Sequence, residues 1–127
     1  IKLICMPIPT QYQTVIPYLI INNALDFLDF MQNLFDAEIV SKHMHNETAL
    51  MHAELKVGNA TIMCGSASAE WQPLTSSLFI YVEDADVSYA KALELGCTSL
   101  MELSNQEYGR TCGVKDVYGN IWWITSV

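Results

Sequence analysis

The chain has 127 residues, about one domain's worth, so a string of linked domains is excluded. Its composition is 51% hydrophobic and 16% charged with a mean hydropathy of +0.21, which supplies a real core and excludes a disordered chain. Six basic against 14 acidic residues give a net charge of −8, and no Lys/Arg cluster exists to track a phosphate backbone, so nucleic acid and anionic membrane surfaces are excluded as partners.

Taken in chain order, Thr14–Ile21 is β-branched and aromatic and reads as a strand with Pro17 near its start. Asn22 and Asn23 are N-cap candidates for a helix in which Leu25, Leu28, Phe30, Met31, Leu34 and Phe35 recur at three- and four-residue spacing, fading at Asp36 and Ala37. Glu38–His45 and Leu50–Val57 are extended runs around the polar Asn46, Glu47 and Thr48, a hairpin signal, and Gly58 and Asn59 turn the chain into Ala60–Cys64. The small, polar, proline-containing stretch of residues 65–75 is a linker. The pattern then restarts with a strand Ser77–Val82 and a helix capped by Asp84 that carries Val87, Ala90, Leu93 and Leu95 and stops at Gly96. Extended runs Cys97–Leu103 and Arg110–Lys115 follow, and Tyr118, Gly119 and Asn120 turn into the last strand, Ile121–Ser126.

Each half is therefore strand, helix, strand, strand, strand, and a shift of 61 residues lays Gly58 and Asn59 on Gly119 and Asn120. A half of this size buries too little surface to be comfortable alone. The expected fold is α+β: two tandem βαβββ repeats, 14–65 and 76–127, joined by a linker 66–75, forming one domain with a cup-shaped mixed sheet and the helices outside.

Candidate chemistry concentrates on the first hairpin, which holds all three histidines. Side chains alternate across a strand, so a register placing His43 opposite Leu50 or His52 brings His43, His45, His52 and Glu54 to one face. The alternate positions Ala49, Met51, Ala53, Leu55 and Val57 are apolar and suit the helix-covered face. His52 and Glu54 are accordingly the candidate catalytic pair, His52 as an acid/base or ligand-orienting group. In the first strand of each half the aliphatic alternation, Leu19 and Ile21 with Leu78, Ile80 and Val82, suits packing under a helix. This leaves Tyr18, Phe79 and Tyr81, with Trp123, to line the cup as candidate ligand-binding residues, and Trp71 in the linker within reach of its rim. Arg110 is a candidate for a ligand's anionic group, against the alternative of a surface ion pair with Glu107 or Asp116. Cys5, Cys64, Cys97 and Cys112 are scattered without a CxxC, which suits a reduced chain in the cytoplasm; the start, Ile1 to Pro9, lacks the charged and apolar regions of a signal peptide, and no 18-residue apolar run suggests a membrane span.

A paired βαβββ repeat with a Gly-Asn turn before a Trp-rich last strand resembles the vicinal oxygen chelate superfamily of glyoxalases, bleomycin-resistance proteins and extradiol dioxygenases. Pro17-Tyr18-Leu19, Leu34-Phe35-Asp36-Ala37-Glu38, Met51-His52-Ala53-Glu54-Leu55 and the tail from Tyr108-Gly109-Arg110 through Gly113-Val114-Lys115-Asp116 to Gly119-Asn120-Ile121-Trp122 are similar to its PhnB-like branch. The resemblance implies a cup built from both halves and a homodimer. Metal-dependent members carry His or Glu at the start of the first strand and near the middle of the last strand of each half. Counting to those places here reaches Ile16, Ser77, Ile62 and Trp123, none a usual ligand of a divalent ion, so no cofactor is expected and the metal-dependent activity does not transfer. The expected function is binding of a small organic ligand in an aromatic cleft. The alternative is a lyase, isomerase or dioxygenase that recruits a divalent metal to His43, His45, His52 and Glu54.

Overall fold

Pro17 decides where the first strand begins. In the computed structural model, which describes residues 7–127, β1 is only Tyr18–Ile21, not the longer run from Thr14. Pro17 has no N–H to give a ladder, but its carbonyl accepts from Met63 N at 2.9 Å. Just upstream, the side-chain amide of Gln13 stands in for missing strand: it donates to Thr61 O at 2.8 Å and accepts from Thr61 N at 3.1 Å. Both edge groups of Thr61 are thereby satisfied without a backbone partner. Residues 1–6, with Cys5 and most of the N-terminal stretch read from the sequence, lie outside the described residues.

The other elements follow as α1 Ala24–Phe35, β2 Glu38–Met44, β3 Leu50–Val57, β4 Ala60–Ser66, β5 Ser77–Tyr81, α2 Ala85–Glu94, β6 Thr98–Gln106, β7 Gly109–Lys115 and β8 Ile121–Ser126. They form two four-stranded sheets of identical order, β1-β4-β3-β2 and β5-β8-β7-β6. Each is mixed: β1 runs parallel to β4 and β5 to β8, the other pairs antiparallel. The tandem α+β repeat is thus as the sequence implied.

The two helices are capped differently. Asp84 accepts from the N–H groups of Asp86 and Val87, as expected of an Asp at that position. Asn23 occupies the cap of α1 in a left-handed conformation, and its side chain makes no cap bond. They also differ in burial: α1 buries seven residues, including Phe27, Phe30, Met31 and Phe35, whereas α2 buries only Ala85 and Ala92. α1 therefore serves both halves. Phe35 meets Trp122 of β8 with ring centroids 4.9 Å apart, and Tyr118 sets its ring edge-on against Phe27 and Phe30 while its hydroxyl donates to Asp26.

One apolar cluster runs from Leu19 and Ile21 of the first sheet to Val114, Trp122 and Ile124 of the second. The helix-side faces of both sheets feed this core, so their open faces look away from it. No strand of one sheet lies alongside a strand of the other. Within one chain, then, the two open faces do not close on a single cup.

Asp116 fixes the last turn. It is buried, and its carboxylate accepts from Tyr118 N, Asn120 N, Asn120 Nδ2 and the indole N–H of Trp122 at 2.8–3.0 Å, while Asn120 Oδ1 accepts from Ser76 N. A buried acid is tolerable only when its oxygens are this fully engaged. This is the physical content of the Asp116, Gly119, Asn120, Trp122 spacing.

Candidate ligand-binding site

The hairpin histidines do share a face, but a β-bulge rearranges their neighbours. His43 pairs with His52 while Met44 pairs with Leu50, which leaves Met51 as the extra residue on β3. Leu50 consequently turns into the core at 1% exposure, and Met51, expected under the helix, is 54% exposed on the open face. Ala53 and Leu55 are fully buried as the alternation requires.

His52 is the centre of a short polar chain. The hydroxyl of Tyr18 lies 3.1 Å from its Nδ1, with the two rings stacked at 5.6 Å, and its Nε2 is 3.7 Å from Glu54 Oε1. Glu54 in turn accepts from the hydroxyl of Tyr12 at 2.6 and 2.7 Å. That contact holds the Tyr12 phenol above its ordinary pKa, because the phenolate would face the carboxylate. Tyr18 is also raised, chiefly by burial and secondarily by Cys64. The sequence does not single out Tyr12, because it precedes the first periodic run and nothing local ties it to a residue 42 positions away.

His43 stacks on His52 at 6.3 Å, and His45 lies farther along the same face. Yet among the described residues no three His, Cys, Asp or Glu side chains are grouped so as to hold a metal ion. The four places counted from the family pattern need one correction. Tyr18 pairs with Met63 as Phe79 pairs with Trp123, so Met63 is the counterpart of Trp123, and Ile62 is a core residue. Past the Gly-Asn turns the repeat offset is 60, not 61, because β4 enters its sheet one residue later than β8 does. A thioether in place of Ile62 leaves the donor chemistry as poor for a hard divalent ion.

A cleft of about 750 Å³ opens beside this chain. The linker makes it. After β4 the linker folds back, and Leu74 and Ile20 exchange backbone hydrogen bonds at 2.9 and 3.1 Å, which covers the free edge of β1. A tight turn, in which Ser68 N donates to Trp71 O and Trp71 N to Ser68 Oγ, then holds Trp71 over the rim. Tyr18, Ile20, Met51 and Trp71 provide walls, and Glu70 and His45 stand at its edge. Its floor is Gly65, where a Cβ would sit 2.7 Å from Met51 O and 3.2 Å from the Tyr18 hydroxyl. Only glycine leaves that floor open.

The other expected ligand-binding residues lie elsewhere. Phe79, Tyr81 and Trp123 do face the open side, but of the second sheet, so they do not join Tyr18 in one cavity within the chain. Phe79 packs on Tyr81 at 5.2 Å and on Tyr108 at 6.2 Å. The Trp123 ring lies across Gly113, where a Cβ would come within 2.5 Å of it, and its N–H donates to Ser77 Oγ at 2.9 Å. Arg110 is on the opposite side of β7, with the buried Cys112 and Val114. There it makes a two-pronged pair with Asp86 of α2 at 2.9 and 3.2 Å. The partner is neither Glu107 nor Asp116. The pairing holds the Asp86 carboxyl below its usual range, and alternation alone keeps Arg110 away from the open faces.

Cys64, Cys97 and Cys112 are free, buried thiols, pushed up by burial to about 12, 12 and 11. At neutral pH these three are packing residues, not nucleophiles.

Two βαβββ units sharing one core, each with an open sheet face, define a glyoxalase-type fold. The chain belongs to the Glyoxalase/Bleomycin resistance protein/Dioxygenase superfamily, whose model matches residues 13–124. The uncharacterized protein Mb0911c of Mycobacterium bovis is 28% identical over 118 residues, 84% of this chain and 78% of its own length. Among solved structures, the PhnB protein of Bacillus cereus, described as a putative 3-demethylubiquinone-9 3-methyltransferase, superposes with a TM-score of 0.74 at 23% identity, over 91% of this chain and 100% of its own. TnmS3, an antibiotic-binding protein of Streptomyces sp. CB03234, superposes with a TM-score of 0.70 at 14% identity, over 95% of this chain and 98% of its own. At these identities the structural likeness speaks for the fold. No helix among the described residues is long and apolar enough to cross a membrane.

Proposed function

We propose that this chain binds a small, flat organic ligand in the cleft between Tyr18 and Trp71, without a metal triad, as a member of the PhnB-like branch. The observation that carries the reading is the cleft itself: about 750 Å³, floored by Gly65, walled by two aromatic side chains and a methionine. A concave, largely apolar site with a few polar groups at one end is the usual form of a small-molecule site. His52, held between Tyr18 and Glu54, lies behind the cleft lining and orients the ligand through Tyr18, whose hydroxyl it engages. The fold shared with an antibiotic-binding protein supports the same reading.

The same proposal includes a homodimer. Phe79, Tyr81 and Tyr108 are each half or more exposed and contiguous on the second sheet, more aromatic surface than a monomer usually leaves in water. In the dimer that face covers the open side of the partner's first sheet and completes the cup. The free buried thiols suit residence in the reducing cytoplasm.

A second reading, favoured by the Tyr18–His52–Glu54 chain, is catalysis with His52 as acid/base. Titration with a panel of planar aromatic compounds, followed by tryptophan quenching in the wild type and in Trp71→Phe, tests the binding reading. Quenching that disappears in the variant is expected; silence across the panel overturns it. Turnover of a bound compound that is lost in His52→Ala would favour the second reading.

A further inference from the structure

We infer that the ligand of the Tyr18–Trp71 cleft is an aromatic cation, an inference that rests on the cleft being the binding site. Among the described residues no Lys or Arg lines it. Three of the backbone donors along its rim are engaged within the chain: Ala67 N donates to Ile21 O, Ser68 N to Trp71 O and Trp71 N to Ser68 Oγ.

What the cleft offers is of the opposite sign. The Trp71 ring is 61% exposed and stacks on no other ring among the described residues, so its electron-rich face is open to a ligand. Next to it Glu70 is exposed and makes no ion pair among the described residues. Tyr18 presents a second ring across the floor, while its hydroxyl is engaged by His52. Met51, brought to the wall by the bulge, adds a polarizable thioether that adapts to a flat surface. A planar cation stacked over Gly65 would thus meet π faces on two sides and a carboxylate at the rim. The chain's net charge of −8 draws the same ligand in and repels an anionic one.

The test uses three fluorescent tricyclic probes of nearly the same shape, N-methylacridinium, acridine and 9-anthracenecarboxylate, followed by anisotropy at pH 8. N-methylacridinium is expected to bind about tenfold tighter than acridine, in keeping with a cation over open aromatic faces, and the carboxylate not to bind. Glu70→Gln should cut the preference for the cation about threefold and leave acridine binding unchanged. Asp29→Asn, an equal charge change on an exposed position of α1, should leave both unchanged, which separates the rim carboxylate from general attraction. Trp71→Ala should abolish binding of both. Equal binding of cation and neutral probe, or tighter binding of the anion, overturns the charge assignment while the cleft stands. Failure of all three probes, or binding indifferent to Trp71→Ala, overturns the cleft as the site and the cation inference with it.

Discussion

The hydroxyl of Tyr18 meets Nδ1 of His52 at 3.1 Å while the two rings stack at 5.6 Å, so one residue fixes both the direction and the plane of the other. Tyr18 comes from the edge strand β1 and His52 from β3, two strands away across β4. The contact exists because Gly65, on the intervening strand, has no side chain to separate them. His52→Ala should weaken ligand binding about fivefold, the size of the one hydrogen bond that holds Tyr18 in the cleft wall, with little change in stability because His52 is partly exposed. Tyr18→Phe should reproduce part of that loss. Anisotropy titrations alongside urea denaturation measure both.

Arg110 should prove irrelevant to the ligand. Its guanidinium is committed to Asp86 on the helix side of β7, and the pair is exposed. Arg110→Ala is expected to leave probe affinity unchanged within error; a fall of tenfold would place Arg110 back in the site.

Gly113→Ala should disturb the second sheet. The new methyl would overlap the Trp123 ring, which must swing off the strand or push β7 and β8 apart. A loss of about 1–3 kcal/mol is expected, the range for overpacking, with a change in tryptophan emission as the indole loses its bond to Ser77. Equilibrium urea unfolding with fluorescence detection checks both.

Stability should fall in alkali, and Tyr118 should carry part of the fall. Burial first, then its bond to Asp26, holds the Tyr118 phenol well above the ordinary value of 10.0. The folded chain keeps that proton while the unfolded chain loses it, so the contribution is complete below pH 10 and declines as pH rises toward the folded value. The buried thiols of Cys64, Cys97 and Cys112 act in the same direction, starting from about 9.0. Urea midpoints between pH 8 and 11 should therefore drop, and drop less steeply in Tyr118→Phe; identical slopes would contradict the assignment.

The sequence by itself determined the repeat, the two helices, the mixed α+β class and the alternation that sends Leu19, Ala53 and Ile124 inward, because period-2 and period-3.6 patterns are local properties of the chain. It paired His52 with Glu54 on one face, but left His43 to the hairpin register, which the pairing of β2 with β3 sets. Tertiary structure alone decided the rest. The bulge that exchanges Leu50 for Met51 appears only in the pairing of β2 with β3, and no residue type at that point marks it. The one-residue offset between β4 and β8 likewise appears only in the strand pairing. Tyr12 and Gln13 reach Glu54 and Thr61 across more than 40 residues. Whether the aromatic residues share a cavity depends on which faces of two sheets meet the core. Both helix-side faces do, since burying them around α1 removes the most apolar surface from water, and this divides Tyr18 from Phe79, Tyr81 and Trp123.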